Sequence, residues 1–173
     1  MQFVAVLSKP ITASAMNDAI ARALLSTPTA RPVRPSPSAA LVELRRRPSR
    51  SRVLLAEDNE VNQEVACALL ADAGLDVQVV PDGEQAVAQA SGGRFDLILM
   101  DMQMPGVDGL EATRRIRTQL GETLPIVAMT ANAFGEDRDE CLAAGMNDHI
   151  AKPVDASTLY ETLLRWLPAC EVG

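Results

Sequence analysis

The chain has 173 residues and is 47% hydrophobic with only 3% aromatic residues, enough for one ordinary domain plus extra segments and a core built from Leu, Val, Ile, Ala and Met. Its net charge of −7 is unevenly spread: residues 1–52 carry nine Lys or Arg against two acids, and residues 53–173 carry seven against twenty-one. An acidic body of this kind argues against nucleic acid as its ligand, since phosphate neutralisation supplies most of such affinity, and points to cations or cationic surfaces.

Cys67, Cys141 and Cys170 show no paired or metal-type spacing, and no basic and apolar leader precedes them, so a reducing cytoplasm is expected. No apolar run approaches the roughly 20 residues that span a bilayer. Direct membrane contact is therefore not expected of this chain, although a membrane-bound parent protein is compatible with it.

Residues 26–52 are a distinct segment, with five prolines and seven arginines and almost no apolar period; they are expected to form an exposed linker in which ALVEL makes at most a transient helical turn. From Val53 onward short aliphatic runs alternate with helical patterns. VLLA is followed by EVNQEVACALLADAG, then DVQVV and GEQAVAQAS. In the first of these helices Val61, Val65, Ala68 and Leu69 share a face expected to cover a sheet, and Gly74 stands where a helix end favours positive φ.

Strand FDLILM, helix GLEATRRIRTQL, strand PIVAMT, helix EDRDECLAAG, strand DHIA and helix ASTLYETLLRWL complete five strands and five helices. Parallel strands buried on both faces read as continuous apolar runs, so VLLA, DLILM and PIVAM are predicted central and DVQVV an edge. The fold class is α/β, a doubly wound parallel sheet.

Ligands of such sheets bind at the carboxyl ends of the strands. Glu57 and Asp58 follow the first strand, Asp101 the third, Thr130 ends the fourth and Lys152 follows the fifth. Carboxylates crowded into one crevice repel each other unless a cation offsets them. Mg²⁺, which takes oxygen ligands from one or two carboxylates with retained waters and phosphate oxygens, meets that need. The Thr130 hydroxyl and the Lys152 ammonium suit the oxygens of a transferred phosphoryl group, and Asp101 is placed for the nucleophile. Taken singly, Glu57 with Asp58 also suits a solvated loop, and Asp101 a turn before Pro105. Met100, Met102 and Met104 read as packing, and Cys67 as core.

These residues, in LLAEDN, LILMDMQMPGVDG, IVAMTANA and IAKP, resemble the receiver domains of two-component response regulators over residues 53–168. The resemblance implies a flavodoxin-like strand order 2-1-3-4-5 and transfer of a phosphoryl group from phosphohistidine to Asp101. It implies Mg²⁺, with Mn²⁺ as a substitute, held by Asp58, Asp101 and the Gln103 carbonyl, with Glu57 acting through water. It implies further that Thr130 and Lys152 contact the phosphoryl oxygens, that Gln103 and Asn132 flank the pocket, and that the Lys152 to Pro153 bond is cis. His149 departs from the pattern, since receivers usually carry Tyr or Phe there; it reads either as a rotating switch residue working with Thr130 or as a passive surface imidazole.

Residues 1–25 pair with the end of the chain: SKPITASAMNDAIARAL matches AKPVDASTLYETLLRWL at a shift of 143 positions. They resemble the last strand and helix of a preceding receiver or pseudoreceiver, a degenerate one whose earlier portion is missing. The whole order, with linker 26–52, receiver 53–168 and tail 169–173, resembles the C-terminal part of a hybrid sensor histidine kinase. No glycine-rich ATP-binding segment is present, so the phosphohistidine donor lies elsewhere and a histidine phosphotransfer domain is the expected partner. Two rivals are a phosphatase of the haloacid dehalogenase type, whose second acid is Gln103 here, and an unphosphorylated interaction module.

Overall fold

The computed structural model describes residues 38–47, 50–131 and 136–168, the side chains at 136 and 137 excepted. The expected terminal strand and helix at 1–25, the linker before residue 38, Asn132 and the tail 169–173 lie outside the described residues.

Five parallel strands form one sheet: β1 (Arg52–Ala56), β2 (Asp76–Val80), β3 (Leu97–Asp101), β4 (Ile126–Thr130) and β5 (Asp148–Ala151), in the order β2-β1-β3-β4-β5. The parallel registers run Val53 with Val77 and Leu97, Leu99 with Val127, and Met129 with Ile150. Strand residues alternate between two cores, as the two-residue period of a pleated strand requires. Val53, Leu55, Leu97, Leu99, Val127 and Met129 enter one core, and Leu54, Ala56, Ile98, Met100, Ile126 and Ala128 enter the other. Because β3 and β4 are buried along their whole length, they are the rigid centre of the sheet.

The first core is covered by α2 (Glu60–Asp72) and α6 (Ala156–Trp166), the second by α3 (Gly83–Gly92) and α4 (Gly109–Leu120), with Cys141 of α5 (Glu136–Ala143) also in it. Side chains start these helices by accepting first-turn N–H groups: Asn59 for α2, Asp82 for α3, Asp108 for α4 and Asp155 for α6. Gly74, with φ +80°, follows the α2 C-cap as expected. Among the described residues no helix is long and apolar enough to cross a membrane.

Two expectations are corrected. In α2 the buried stripe is Ala66, Leu70 and the C-cap Ala73, while Val61 and Val65 are 68% and 48% exposed. Val61, Val65 and Ala68 lie on a face of α2 turned about 100° from that stripe, and Ala68 is exposed with them. Within the segment expected to be exposed linker, residues Ala39–Arg46 form a further helix, α1, capped by Ser38. Ala40, Leu41 and Leu44 of α1 are buried in the first core with Tyr160, Leu163 and Leu167. Arg45 pairs with Asp72 and donates to its carbonyl at 2.7 Å, while Arg47 donates to the Pro168 carbonyl at 3.0 Å. The exposed ion pair adds little; apolar burial holds α1 in place.

Truncating a buried leucine costs about 2 to 5 kcal/mol. We expect Leu44→Ala to lower the unfolding free energy of the full chain by about 2 kcal/mol, at the low end of that range, in urea titration. An unchanged midpoint would show that α1 does not belong to the folded unit.

Candidate functional site

Glu57, Asp58, Asp101, Thr130 and Lys152 emerge at the carboxyl end of the sheet because their strands end there. Glu57 directly follows β1, and its N–H donates to the Val80 carbonyl at 3.1 Å. Asp101 and Thr130 are the last residues of β3 and β4. Lys152 follows β5, its N–H held at 2.7 Å by the Thr130 carbonyl, and the Lys152 to Pro153 peptide is cis. The loop after Asp101 is pinned too, since Met102 N–H donates to the Met129 carbonyl at 3.1 Å. Gly109, which opens α4, is needed at its position: a Cβ there would stand 2.1 Å from the Asp101 carbonyl oxygen.

The side chains converge on one ammonium. Lys152 Nζ lies 2.7 Å from Glu57 Oε2 and 2.7 Å from Asp101 Oδ2. Glu57, Asp101 and Thr130 are buried, and Asp58 is exposed at the mouth. Asp101 Oδ1 also accepts the Gln103 N–H at 3.1 Å. Burial pushes the Asp101 carboxyl above the ordinary carboxylate range, and the negative Glu57 pushes the same way; the Lys152 ammonium and the Gln103 N–H pull against them without prevailing. Burial also works against the Lys152 cation, yet its bonds to Asp101 and Glu57 outweigh that and hold its pKa above the usual lysine value.

One oxygen from each of Glu57, Asp58 and Asp101 lies within 4.8 Å of the others. Three hard oxygen donors around a half-open mouth fit a small divalent cation such as Mg²⁺, which keeps several waters and asks little of the protein. The donor set lacks the sulfur and imidazole ligands that select softer metals.

Other residues were not anticipated. Asn62 Nδ2 donates to Glu57 Oε1 at 2.8 Å, Gln63 Nε2 donates to the Glu57 carbonyl at 2.6 Å, and the Asn59 N–H reaches Oε1 at 3.4 Å. The signal available was spacing, since five and six residues after Glu57 is the first turn of a helix leaving the strand end. His149 lies on β5 opposite Ala128, with its side chain partly buried and Nδ1 3.9 Å from Asp148 Oδ1. Met100 and Met104 are core residues, whereas Met102 and Cys67 are only partly buried.

A family model described as the response regulator receiver domain matches residues 53–164. The receiver domain of the sensor histidine kinase PA1611 from Pseudomonas aeruginosa PAO1, solved with a magnesium ion coordinated in its active site cleft, is 50% identical; the match covers 68% of this chain and 98% of that one, with a TM-score of 0.64. The hybrid signal transduction histidine kinase H of Dictyostelium discoideum is 47% identical over 122 residues, or 67% of this chain and 9% of that protein. A co-crystal structure of the Saccharomyces cerevisiae histidine phosphotransfer protein Ypd1 with the receiver domain of Ssk1 matches at 29% identity, covering 68% of this chain and 88% of that one, with a TM-score of 0.64. The chain spans less than a fifth of the length of the first curated relatives it matches.

The raised Asp101 pKa carries a sign. Folded Asp101 holds its proton more tightly than in the unfolded chain, where the ordinary value is 3.8. Above that pH the folded state binds more protons, so this carboxyl's contribution to stability falls as pH rises through the window. Asp101→Asn has no such proton to lose. Urea unfolding without metal between about pH 4 and 8 should therefore show the variant gaining on the unaltered chain as pH rises; a constant gap would contradict the assignment.

Proposed function

The chain belongs to the response regulator receiver domain family, and from that footing we propose that Asp101 is its phosphoryl acceptor. It is a receiver domain of a two-component phosphorelay. The observation that carries the proposal is the placement of the Asp101 carboxylate at the end of a strand buried along its whole length, 2.7 Å from the Lys152 ammonium and inside the acidic trio.

Asp101 attacks the phosphorus of a phosphohistidine whose other ring nitrogen carries a proton: a P–O bond to its carboxylate forms, the P–N bond breaks with its electron pair going to the ring nitrogen, and an acyl phosphate and a neutral imidazole result. The buried strand and the Gln103 N–H hold the carboxylate in one orientation, so little reorganisation remains for the reaction. Lys152 offsets negative charge on the transferred group, and the Thr130 hydroxyl donates to one of its oxygens. Asp58, Asp101 and the Gln103 carbonyl would hold Mg²⁺, with Glu57 acting through water; the ion would supply the positive charge that three carboxylates and a phosphoryl group require, and Mn²⁺ would suit the same donors. Charge on the new phosphoryl group, about −1.5 to −2, then draws Thr130 and Lys152 with their loops, and His149 two strand positions upstream of Ala151 reports that movement.

The donor and acceptor partners are a histidine kinase domain and a histidine phosphotransfer domain. Val61 and Val65, exposed on the α2 turn beside Glu57, offer an apolar seat that brings a partner histidine to the site. The parent is a hybrid histidine kinase in which a preceding degenerate receiver ends in residues 1–25, and the receiver works in the cytoplasm, without nucleic acid.

With acetyl phosphate and Mg²⁺, mass spectrometry should find one phosphoryl group on Asp101 and none in Asp101→Asn; a label at another residue would overturn the assignment. Val65→Asp should slow transfer from a phosphohistidine donor by about tenfold, corresponding to about 1.4 kcal/mol, while leaving acetyl phosphate labelling intact. Equal slowing of both reactions would remove the docking role.

A further inference from the structure

Glu57 is 1% exposed, yet it carries a carboxylate beside a second buried carboxylate. Such a group must be held by donors, because an uncompensated buried charge is costly. Lys152 takes one oxygen, Oε2, and shares itself with Asp101. The other oxygen, Oε1, is met at 2.8 Å by the side-chain amide of Asn62 and more distantly, at 3.4 Å, by the Asn59 N–H. Gln63, the next residue of α2, grips the Glu57 backbone carbonyl at 2.6 Å.

The pattern has a consequence for orientation. A carboxylate held at Oε2 alone can turn about that contact, and Lys152 is itself a flexible side chain with a compact charge. A second donor on Oε1 removes that freedom. Asn62 belongs to a helix whose start is fixed by the Asn59 cap, with Asn59 Oδ1 accepting from the Val61 and Asn62 N–H groups at 3.0 and 3.3 Å. The amide is therefore delivered from a defined direction.

We propose that Asn62 is a positioning residue of the divalent-cation site: by bonding Glu57 Oε1 it turns Oε2 toward Lys152 and Asp101 and sets the geometry in which the acidic trio takes the ion. This rests on the proposed Mg²⁺ site. Groups that orient acidic ligands in this way commonly change metal affinity by 10- to 100-fold when removed. Because Asn62 itself is exposed and water can reach its place, the lower end applies. The same turn carries Val61 and Val65, so support for the cation site and the apolar seat are built on one stretch of helix.

The test is calorimetric titration of the full chain with Mg²⁺. Asn62→Ala should bind about tenfold more weakly, and Asn62→Gln, which keeps the amide on a longer arm, should recover part of that loss. Thermal unfolding in chelator separates this from a structural role, which would lower the midpoint of Asn62→Ala while leaving the Mg²⁺ constant of the folded protein alone. An unchanged constant for Asn62→Ala beside normal binding by the unaltered chain overturns this inference only. Absence of Mg²⁺ binding by the unaltered chain overturns the metal assignment as well.

Discussion

One ammonium shared between two buried carboxylates is the constraint on which the site depends. Lys152 Nζ stands 2.7 Å from both Glu57 and Asp101, and without it two negative groups would face each other away from water. That arrangement leaves the site in deficit even so: with Asp58 at the mouth, three carboxylates confront one lysine. A divalent cation corrects the imbalance, and a phosphoryl group alone would worsen it. Charge counting at these four residues is thus what supports the proposed divalent cation.

The rest of the fold serves to keep those residues where they are. β3 and β4 are buried end to end, and their side chains alternate between two separate cores. Close packing leaves such strands little freedom, so Asp101 and Thr130 emerge at fixed points. Lys152 is tied by its own N–H to the Thr130 carbonyl. The helices contribute at their ends more than along their lengths, with Gly109 permitting α4 to start against Asp101 and the first turn of α2 closing over Glu57. At the opposite end α1 seals the first core against α6.

Much of this was legible in the sequence because β1, β3 and β4 are apolar runs buried on both faces and the polar site residues interrupt those runs at their ends. Strand order and the convergence of Glu57, Asp101 and Lys152 followed from that pattern and the family resemblance. What was not legible has a common physical origin in tertiary context. Val61 and Val65 have helical spacing that suits a core face, but the equally spaced Ala66, Leu70 and Ala73, turned about 100° from them, face the sheet instead. Ala40, Leu41 and Leu44 are too short a pattern to announce a helix among prolines and arginines, and short helices are marginal without tertiary packing; α6 provides it from more than a hundred residues away. Asn62 carried no signal of its own, since an asparagine early in a helix is ordinary until Glu57 is seen beside it.

The central claim is that Lys152 and the acidic trio hold the place of a phosphoryl group and its metal ion. A crystal structure of the full chain with Mg²⁺ and beryllofluoride tests it most directly. The account requires beryllofluoride bonded to the Asp101 carboxylate, Lys152 in contact with a fluorine, and the ion among Asp58, Asp101 and the Gln103 carbonyl. Beryllofluoride at another residue, or Lys152 still bridging Glu57 and Asp101 with no ion in the trio, would contradict it.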